Sequence, residues 1–260
     1  MARPPLTEPI TRQAHRTVAL VPAAGRGLRM GGAVPKQFLA LGGEPIVLHS
    51  LRILNASPVI DEIILAVLQS DMEYCLSQIV TPHHFTKVTK IIPGGEERQD
   101  SVRHALEAVH EDVDVVLVHD AVRPFLTGRM VEEVVRVARE KGAAIIALPI
   151  RDTVKQVGAD HVIERTVDRR PLWLAQTPQA FRRDWLLAAH RKAHGEGVHG
   201  TDDAYLVEWC GYPVSIVEGS GDNIKVTRPE DMIIGEAIIA SRGKGERGQA
   251  DRSQADKCTS

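Results

Sequence analysis

The sequence predicts an α/β fold in which a mostly parallel sheet carries helices on both faces and a β-hairpin arm projects from it. Short apolar runs rich in β-branched residues, including TVALVP, EIILAVL, VVLVHD and AAIIALPI, are typical of strands buried on both faces of a parallel sheet. Segments with helical periodicity, such as PIVLHSLRILNAS and GRMVEEVVRVAREKG, alternate with these runs. This alternation indicates successive strand–helix–strand units, and therefore helices on both sides of the sheet.

The alternation is interrupted between residues 151 and 174, RDTVKQVGADHVIERTVDRRPLWL. Two strand-like stretches, TVKQV and VIERTV, flank a turn at Gly158 to Asp160, which predicts a β-hairpin arm. One face of the arm has little apolar content, and an isolated hairpin is marginally stable in water. We therefore expect the arm to pack on a second subunit and to make the protein a homodimer.

A single folded domain is expected between residues 17 and 241. The 260 residues, of which 43% are hydrophobic, are enough to bury one sizeable core. The last helix is predicted to begin at TRPEDM, because Pro229 suits a first helical position and the acidic residues favour the positive end of a helix. Residues 1–16 and 242–260 lack periodicity, and we expect them to form a disordered leader and a disordered tail.

Charge and cysteine usage exclude several classes of protein. The net charge of −2 predicts no general affinity for nucleic acid or an anionic membrane, and no apolar run approaches the ~18 residues that cross a bilayer. The three cysteines are far apart and lack C-x-x-C spacing, which argues against disulfides and favours a cytoplasmic protein. His190 and His194 are one helical turn apart, but the adjacent Arg191 disfavours a zinc ion there.

The stretch VPAAGRGLRMGGAVPKQF follows the first predicted strand and is rich in glycine. It departs from the dinucleotide-binding fingerprint because Met30 stands in place of the third glycine. It also departs from the P-loop, because Ala33 and Val34 replace the lysine and the hydroxyl residue. The interval between Glu8 and Glu44 contains no acidic residue, so the loop lies in a locally basic part of the chain.

This loop leaves the carboxyl end of a parallel strand, which is where open α/β folds bind ligands. Gly25 and Gly27 allow backbone amides to approach phosphate oxygens, while Arg29 and Lys36 supply positive charge. We interpret the segment as a phosphate-binding loop. The alternative is a glycine-rich turn whose cations are simply solvated.

Two further segments place polar residues at strand ends. In PGGEERQDSV, the adjacent Gly94 and Gly95 could fit a flat ring against the backbone and Ser101 could hydrogen-bond a base, although the pattern also suits an ordinary turn. In VHDAVRPF, Asp120 is suited to hold Mg²⁺ or to accept from a hydroxyl, and Arg123 is suited to bind a phosphate. The alternative is an ion pair between Asp120 and Arg123 that merely closes the strand.

Three other cationic residues support a phosphate-binding site only in combination with these motifs. Lys225 lies in a predicted short strand, NIKVT, and Arg169 and Arg170 lie in the arm; isolated cations at such positions usually face solvent. The sequence contains neither a G-x-S-x-G elbow nor a plausible Cys–His pair, so covalent catalysis is not indicated.

Taken in order, the motifs PAAGRGLRM with PKQF, PGGEERQDSV, VHDAVRP, PIRDTVK, TVDRRPLWLAQTPQAF and DNIKVTRPEDM resemble those of the 2-C-methyl-D-erythritol 4-phosphate cytidylyltransferase family. The resemblance extends from about Val18 to Met232. It implies a Rossmann-like sheet, a homodimer that exchanges β-arms, and a place in non-mevalonate isoprenoid biosynthesis. The implied reaction joins CTP and 2-C-methyl-D-erythritol 4-phosphate into 4-diphosphocytidyl-2-C-methyl-D-erythritol, releasing pyrophosphate, with Mg²⁺ as cofactor.

The resemblance also implies roles for the residues at matching positions. The expected catalytic residues are Arg29, Lys36, Lys225 and, from the arm of the second subunit, Arg169. The residues expected to bind the nucleotide are Pro22, Ala23, Ala24, Gly25, Gly27, Gly94, Gly95, Glu96 and Ser101. Those expected to bind the sugar-alcohol phosphate are Asp120, Arg123, Thr153 and Thr177, and those expected to contact the metal are Asp120 and Asp222.

Three alternatives stay open at the level of sequence. A ribitol-5-phosphate cytidylyltransferase would share the loop, the fold and the nucleotide. A dinucleotide-dependent oxidoreductase is suggested by Gly25 and Gly27, but Met30 breaks its fingerprint and no acidic residue closes the second strand before Asp71. A regulator that binds a nucleotide without catalysis would need the same loop and no second substrate.

Overall fold

A computed structural model describes residues 15–25 and 34–242. The predicted leader up to residue 14, the loop residues Gly27 and Arg29, and the predicted tail from residue 243 lie outside the described residues. Within them, the predicted α/β fold is confirmed: a seven-stranded sheet carries helices on both faces.

The strands, in chain order, are β1 (Thr17–Ala23), β2 (Ala40–Leu41), β3 (Glu44–Pro45), β4 (Glu62–Val67), β5 (Val88–Pro93), β6 (Val115–Val118), β7 (Ala143–Pro149), β8 (Val154–Val157), β9 (Ile163–Val167), β10 (Trp173–Arg182) and β11 (Ser215–Glu218). The large sheet has the order β11-β7-β10-β6-β1-β4-β5. Its strands run parallel except β10, which is antiparallel to both of its neighbours.

The helices are α1 (Ile46–Ala56), α2 (Met72–Tyr74), α3 (Arg98–Glu107), α4 (Gly128–Lys141), α5 (Arg183–Glu196), α6 (Asp203–Trp209) and α7 (residues 229–242). Short 3-10 turns cover Lys36–Phe38 and Gln69–Asp71, and a π-helical stretch, Cys75–Val80, continues α2. Pro229 is the first residue of α7, as the sequence predicts.

The core consists of two layers, one on each face of the sheet. Alternate residues of β1 serve the two layers: Ala19 and Val21 pack with α1 and α4, whereas Val18 and Leu20 pack with α3, α5 and α6. These four side chains are at most 1% exposed. Burying an aliphatic side chain stabilises a fold by about 1.5–3 kcal/mol, so continuous apolar runs of this kind fix the central strands firmly.

A third, smaller cluster supports the edge where parallel strands end. It contains Leu41, Ile46, Val122, Phe125 and Val226, and side chains of α7 pack against it. The backbone amide of Val226 donates to the carbonyl of Val122 at 2.8 Å. This cluster therefore holds the chain segment around Lys225 against the loop that follows β6.

The structure differs from the sequence-based prediction at two segments. The stretch NIKVT is not a strand; it is an extended loop whose backbone is held by Val122 and by the side chain of Arg123, which donates to the Asn223 carbonyl. Conversely, β10 runs through WLAQTPQAFR, although Pro178 cannot donate to a sheet ladder. The pairing of β10 shifts register between Ala175 and Gln179, and this irregularity accommodates the proline.

The predicted β-hairpin arm is present. Strands β8 and β9 pair antiparallel with each other, and among the described residues they form a separate two-stranded sheet. Val157, Val162 and Ile163 are 50–60% exposed. At the base of the arm, Trp173 of β10 lies opposite Pro149 of β7, so the arm leaves the large sheet and returns to it at the same point.

None of the helices in the described ranges is long and apolar enough to cross a membrane.

Candidate active site

Two turns meet at the carboxyl edge of the parallel strands. The first leaves β1 at Ala24 and Gly25, and the second leaves β5 at Gly94 and Gly95. The amide of Gly94 donates to the carbonyl of Val67, at the end of the intervening β4, at 2.7 Å. Because parallel strands end at one edge of the sheet, the two glycine-containing turns are brought side by side.

Both glycines of the second turn are required by close packing. A Cβ atom on Gly94 would lie 2.4 Å from the Cβ of Ala24 and 2.8 Å from the Oγ of Ser101. A Cβ on Gly95 would lie 2.2 Å from the Cβ of Asp100. The Ser101 hydroxyl accepts from the Gly95 amide at 3.1 Å and donates to the Glu97 carbonyl at 3.1 Å, which closes the turn onto α3.

The family resemblance implies that Gly94 binds the nucleotide, and we therefore expect Gly94→Ala to weaken CTP binding by about tenfold or more, because the added methyl must push the second turn away from Ala24. Isothermal titration of CTP would measure this. Gly195→Ala is the matched control, since a Cβ at Gly195 has nothing within 4 Å and the residue is helical. Equal CTP affinity in the two variants would show that the close approach of the turns does not shape the nucleotide site.

The two turns border a first cavity of about 210 Å³. Its walls include Ala23, Ala24, Gly25, Lys36, Glu96 and Ser101, together with Pro22 and Gly95. Lys36 is held in place by its neighbour Gln37, which is 1% exposed and donates from Nε2 to the Ala23 carbonyl at 2.5 Å. The first cavity thus combines exposed backbone with a lysine whose backbone is anchored.

A buried carboxylate surrounded by cations forms the floor of this cavity. Asp120 is 5% exposed; its Oδ2 lies 2.7 Å from Lys225 Nζ, and its Oδ1 accepts from Arg98 Nε at 2.7 Å. The Nε of Arg123 is 4.0 Å from Oδ2. Burial alone would raise the pKa of Asp120, but the charges of Arg98 and Lys225 overcome this and hold that pKa well below its usual range. The carboxylate is therefore ionised, and the cluster carries an excess of positive charge.

A second cavity, of about 220 Å³, lies on the other side of the cluster. Thr177, Gln176, Thr201 and Asp202 line it, and it shares Arg98, Asp120 and Lys225 with the first cavity. Arg123 also lines this second cavity, and burial lowers the pKa of its guanidinium. Two neighbouring cavities with one charged wall between them suit two anionic ligands that react with each other.

The backbone at Asp120 is fixed by a buried polar network. Thr177 Oγ1 accepts from the Asp120 amide at 3.0 Å and lies 3.2 Å from Nδ1 of His119. Nε2 of His119 lies 3.1 Å from the Arg123 carbonyl. Burial lowers the pKa of His119 to about 4, so at neutral pH the ring is uncharged and donates from Nε2 to that carbonyl. Its Nδ1 is then free to accept the Thr177 hydroxyl proton.

The chain is similar to known proteins over most of its length. The sequence model of one family, described as 2-C-methyl-D-erythritol 4-phosphate cytidylyltransferase, matches residues 17–241. The chain belongs to this family. A relative from Syntrophus aciditrophicus with that name is 47% identical over 224 residues, which are 86% of this chain and 96% of the relative. One from Alkaliphilus metalliredigens is 44% identical, covering 90% of this chain and 97% of the relative.

Solved structures agree with this membership. The crystal structure of 4-diphosphocytidyl-2C-methyl-D-erythritol synthase from Anaerococcus prevotii superposes with a TM-score of 0.77 at 30% identity, covering 87% of this chain and 96% of that one. The cytidylyltransferase from Thermus thermophilus gives a TM-score of 0.69 at 32% identity, with 85% and 98% covered. The predicted α/β fold, enzyme class and methylerythritol-phosphate cytidylyltransferase function are thus confirmed. These relatives do not favour the ribitol-phosphate alternative.

Within this cytidylyltransferase, the structure brings many of the predicted site residues together. Around the first cavity or in the turns beside it are Pro22, Ala23, Ala24, Gly25, Lys36, Gly94, Gly95, Glu96 and Ser101. Around the second cavity are Arg123 and Thr177, and Asp120 and Lys225 face both cavities.

Three predicted residues lie elsewhere in the described chain. Thr153 and Arg169 are exposed at the arm and are not among the residues lining either cavity; a guanidinium nitrogen of Arg169 donates to the Arg151 carbonyl. Asp222 has a side chain 58% exposed, and its Oδ2 is 3.8 Å from an Nη of Arg242. The roles of these three residues stay predictions.

Sequence reasoning missed several residues of the site. Arg98 and Gln37 line the first cavity, and buried Asn223 donates from Nδ2 to the Thr177 carbonyl at 2.9 Å. Each of the three lies within a motif that carries the family resemblance. Polar residues of these types are common in turns and on surfaces, so none of them stood out as a site residue. The available signal for Arg98 was its position directly after a glycine turn at a strand end.

Proposed function

We propose that the first cavity holds CTP and the second holds 2-C-methyl-D-erythritol 4-phosphate, with the shared cationic wall at the point where they react. The observation that carries this proposal is that Arg98, Asp120 and Lys225 line both cavities. A phosphate in the second cavity would face the α-phosphorus of a nucleotide in the first. The product is 4-diphosphocytidyl-2-C-methyl-D-erythritol, an intermediate of isoprenoid biosynthesis.

The reaction requires little proton transfer. An oxygen of the methylerythritol phosphate, already an anion, forms a bond to the α-phosphorus of CTP. The bond from that phosphorus to the oxygen bridging the α- and β-phosphates breaks, and its electron pair leaves with pyrophosphate. The main obstacle is repulsion between two polyanions, which positive charges stabilise as the transition state forms. A site with several cations and no nucleophilic side chain suits this chemistry.

In this arrangement the glycine turns hold the nucleotide. The backbone of Ala23, Ala24 and Gly25 would line the triphosphate. Gly27 is proposed to bind the nucleotide as well, and Arg29 to stabilise the charge that builds on the triphosphate. Gly95, Glu96 and Ser101 border the other part of the first cavity, where they would contact the cytosine and ribose. Lys36 approaches from the same side as Gly25, since a Cβ on that glycine would lie 3.7 Å from Lys36 Cε.

The second substrate is proposed to lie against Arg123, Thr177 and Lys225. Arg123 is oriented by its donation from Nη1 to the Asn223 carbonyl at 2.8 Å. Lys225 is tied to Asp120 and 38% exposed, so it can turn its ammonium to an entering phosphate without losing its position. Thr153 is proposed to join this pocket from the base of the arm.

Mg²⁺ fits the site as a companion of the triphosphate. Asp120 offers a single carboxylate, and among the described residues there is no group of three or more His, Cys, Asp or Glu placed to hold a metal. Mg²⁺ commonly binds through one or two carboxylates together with substrate phosphates. When bound, it would neutralise charge on the phosphates. Asp222, exposed and paired with Arg242, is retained as a second proposed contact.

The decisive experiment is an assay of pyrophosphate release with CTP, Mg²⁺ and one of two acceptors. We expect turnover with 2-C-methyl-D-erythritol 4-phosphate and at least about 100-fold lower kcat/KM with ribitol 5-phosphate, because acceptor specificity reflects differences in transition-state binding. A preference for ribitol 5-phosphate would overturn the proposed substrate. CTP binding without pyrophosphate release would contradict catalysis itself.

We also propose that the enzyme is a homodimer formed through the arm. Val157, Val162 and Ile163 are exposed there, and Trp173 and Leu174 at its base are 37% and 57% exposed. A two-stranded hairpin with this much exposed apolar surface is stabilised by packing against another chain. The arm would carry Arg169 to the cavity of the second subunit.

We place the dimer in the cytoplasm, because Cys75 and Cys210 are free thiols rather than a disulfide.

Mixed dimers test whether Arg169 acts across subunits. Arg169→Ala and Lys36→Ala should each be nearly inactive alone. Random mixing of equal amounts should restore about a quarter of the wild-type activity, because half of the dimers are mixed and each has one intact site. Mixing after brief unfolding and refolding, followed by the pyrophosphate assay, measures this. No restored activity despite confirmed exchange of subunits would place Arg169 in its own subunit or outside the site.

A further inference from the structure

Arg98 occupies a position between the two cavities that none of the predicted roles explains. It is the first residue of α3 and directly follows the second glycine turn. Its Nε donates to Oδ1 of Asp120 at 2.7 Å, and its Nη1 is 2.8 Å from Oδ2 of Asp203. A single guanidinium thus ties two buried carboxylates that are contributed by different elements.

The second of these carboxylates does not itself line either cavity. Asp203, the first residue of α6, is 1% exposed and does not appear among the lining residues of either cavity. Its Oδ1 lies 3.0 Å from Nε2 of His190, itself 1% exposed on α5. A chain of polar contacts therefore passes from His190 through Asp203, Arg98 and Asp120 to Lys225.

The charges of this chain depend on Arg98. Burial would lower the pKa of the Arg98 guanidinium, but the carboxylates of Asp203 and Asp120 raise it, so the side chain stays cationic. Burial would likewise raise the pKa of Asp203, and the Arg98 charge and the His190 contact lower it. An arginine presents donors in a rigid planar fork, whereas a lysine is a flexible point charge. Only the former can fix both carboxylates in one orientation.

The neighbours of Arg98 extend the connection to the wall of the second cavity. Gln99 accepts from the Gly200 amide at 2.9 Å and donates to the Val198 carbonyl at 3.0 Å. The loop held in this way leads directly to Thr201 and Asp202, which line that cavity. The start of α3 consequently borders the nucleotide turn on one side and holds the acceptor pocket on the other.

We propose that Arg98 is a positioning residue that couples the two cavities, with Asp203 and His190 as its buried support. By fixing Asp120, it sets the place of Lys225 relative to the reacting phosphates. This inference rests on the proposed function, since it assigns the coupling to the transfer between the two substrates. Without the arginine, Oδ1 of Asp120 loses its guanidinium donor, and Lys225 loses the geometry needed at the transition state.

The test compares Arg98→Lys, Asp203→Asn and the double variant with Arg103→Lys. Arg103 is on the same helix, pairs with Glu107 at 3.0 Å and does not line either cavity, so its variant should retain wild-type rates. We expect Arg98→Lys to lower kcat by about 10- to 100-fold while the KM for CTP changes by less than about threefold. Asp203→Asn should show the same split between kcat and KM.

Two further measurements distinguish a positioning role from a purely structural one: the kcat of the double variant and the rescue of kcat by added guanidinium. If the residues act as one unit, the double variant should be no slower than the slower single variant, within about twofold. Guanidinium added to Arg98→Ala at low, non-denaturing concentration should raise its kcat at least about fivefold, because the cation can reoccupy the gap between the carboxylates.

Several outcomes would overturn the inference. A wild-type kcat in Arg98→Lys would overturn it. A lower Tm with an unchanged kcat in Asp203→Asn would do the same, as would effects of the two single variants on kcat that add fully in the double variant. Asp203→Asn keeps the test decisive if Arg98 variants do not fold, which circular dichroism would reveal. Failure of the wild-type protein to use methylerythritol phosphate would instead refute the proposed function, so the two failures are distinguishable.

Discussion

Lys36→Ala should lower kcat by about 10²- to 10³-fold while weakening CTP binding by less than about tenfold. The proposed contact between this ammonium and the phosphates strengthens as negative charge accumulates on the departing pyrophosphate. The backbone of Lys36 is already held by buried Gln37 and by Phe38, whose ring packs edge-on against Tyr74 at 5.0 Å. Little reorganisation of the backbone is therefore needed to place this charge at the transition state.

Steady-state rates of pyrophosphate release, together with a separate CTP titration, measure the two effects of Lys36→Ala. Lys141→Ala is a suitable control, because Lys141 is exposed at the end of α4 and far along the chain from the glycine turns. Unchanged kcat in the Lys36 variant would remove this residue from the catalytic group. A loss confined to CTP affinity would reassign it to ground-state binding.

Asp120→Asn should reduce the free energy of unfolding by about 3 kcal/mol or more and also reduce kcat, because it removes a buried carboxylate that faces three cations. An asparagine would present an NH₂ group to one of these cations, most directly to Lys225 or Arg98. The remaining positive charges would repel one another in a largely buried setting. We expect the effect on kcat to be larger than the effect on stability, since the same charges orient the reacting phosphates.

Urea unfolding at equal protein concentrations would measure the stability of Asp120→Asn. Asp184→Asn provides the comparison: Asp184 pairs with Arg182 at 2.7 Å on the surface, and exposed ion pairs of this kind contribute only about 0–1 kcal/mol. If both variants lost equally little stability, the cluster around Asp120 would be energetically equivalent to a surface pair. Its proposed role as the charged wall between two substrates would then need revision.

The strands of the parallel core could be predicted from the sequence because the residue composition of each strand is itself a signal. Strands such as β1 and β6 are apolar on both faces, and that composition is compatible with few other environments. The antiparallel β10 was harder to foresee. It contains Pro178, it runs antiparallel to both neighbours, and its pairing with β7 shifts register between Ala175 and Gln179. An interrupted antiparallel strand of this kind has no periodic signal in its own sequence.

The same distinction applies to the site. Gly94, Gly95 and Lys36 follow predicted strand ends, so the sheet edge brings them together whatever the details of packing. Arg98 and Asp203 are 105 residues apart in sequence, and only the packing of α3 against α5 and α6 makes them partners. The structure places Lys225 beside Asp120 on a loop rather than on the predicted strand, and its catalytic role stays a prediction.

The pairing at the base of the arm has a consequence for how this family can diversify. Pro149 lies opposite Trp173, and the Ile150 amide donates to the Leu172 carbonyl at 3.0 Å, so the chain is already closed before the hairpin begins. Lengthening a loop whose ends are held together adds little entropic cost. The hairpin can therefore grow, shrink or change its surface without shifting the register of β7 and β10. The sheet edge that carries the two cavities can therefore keep its geometry while the arm changes in length.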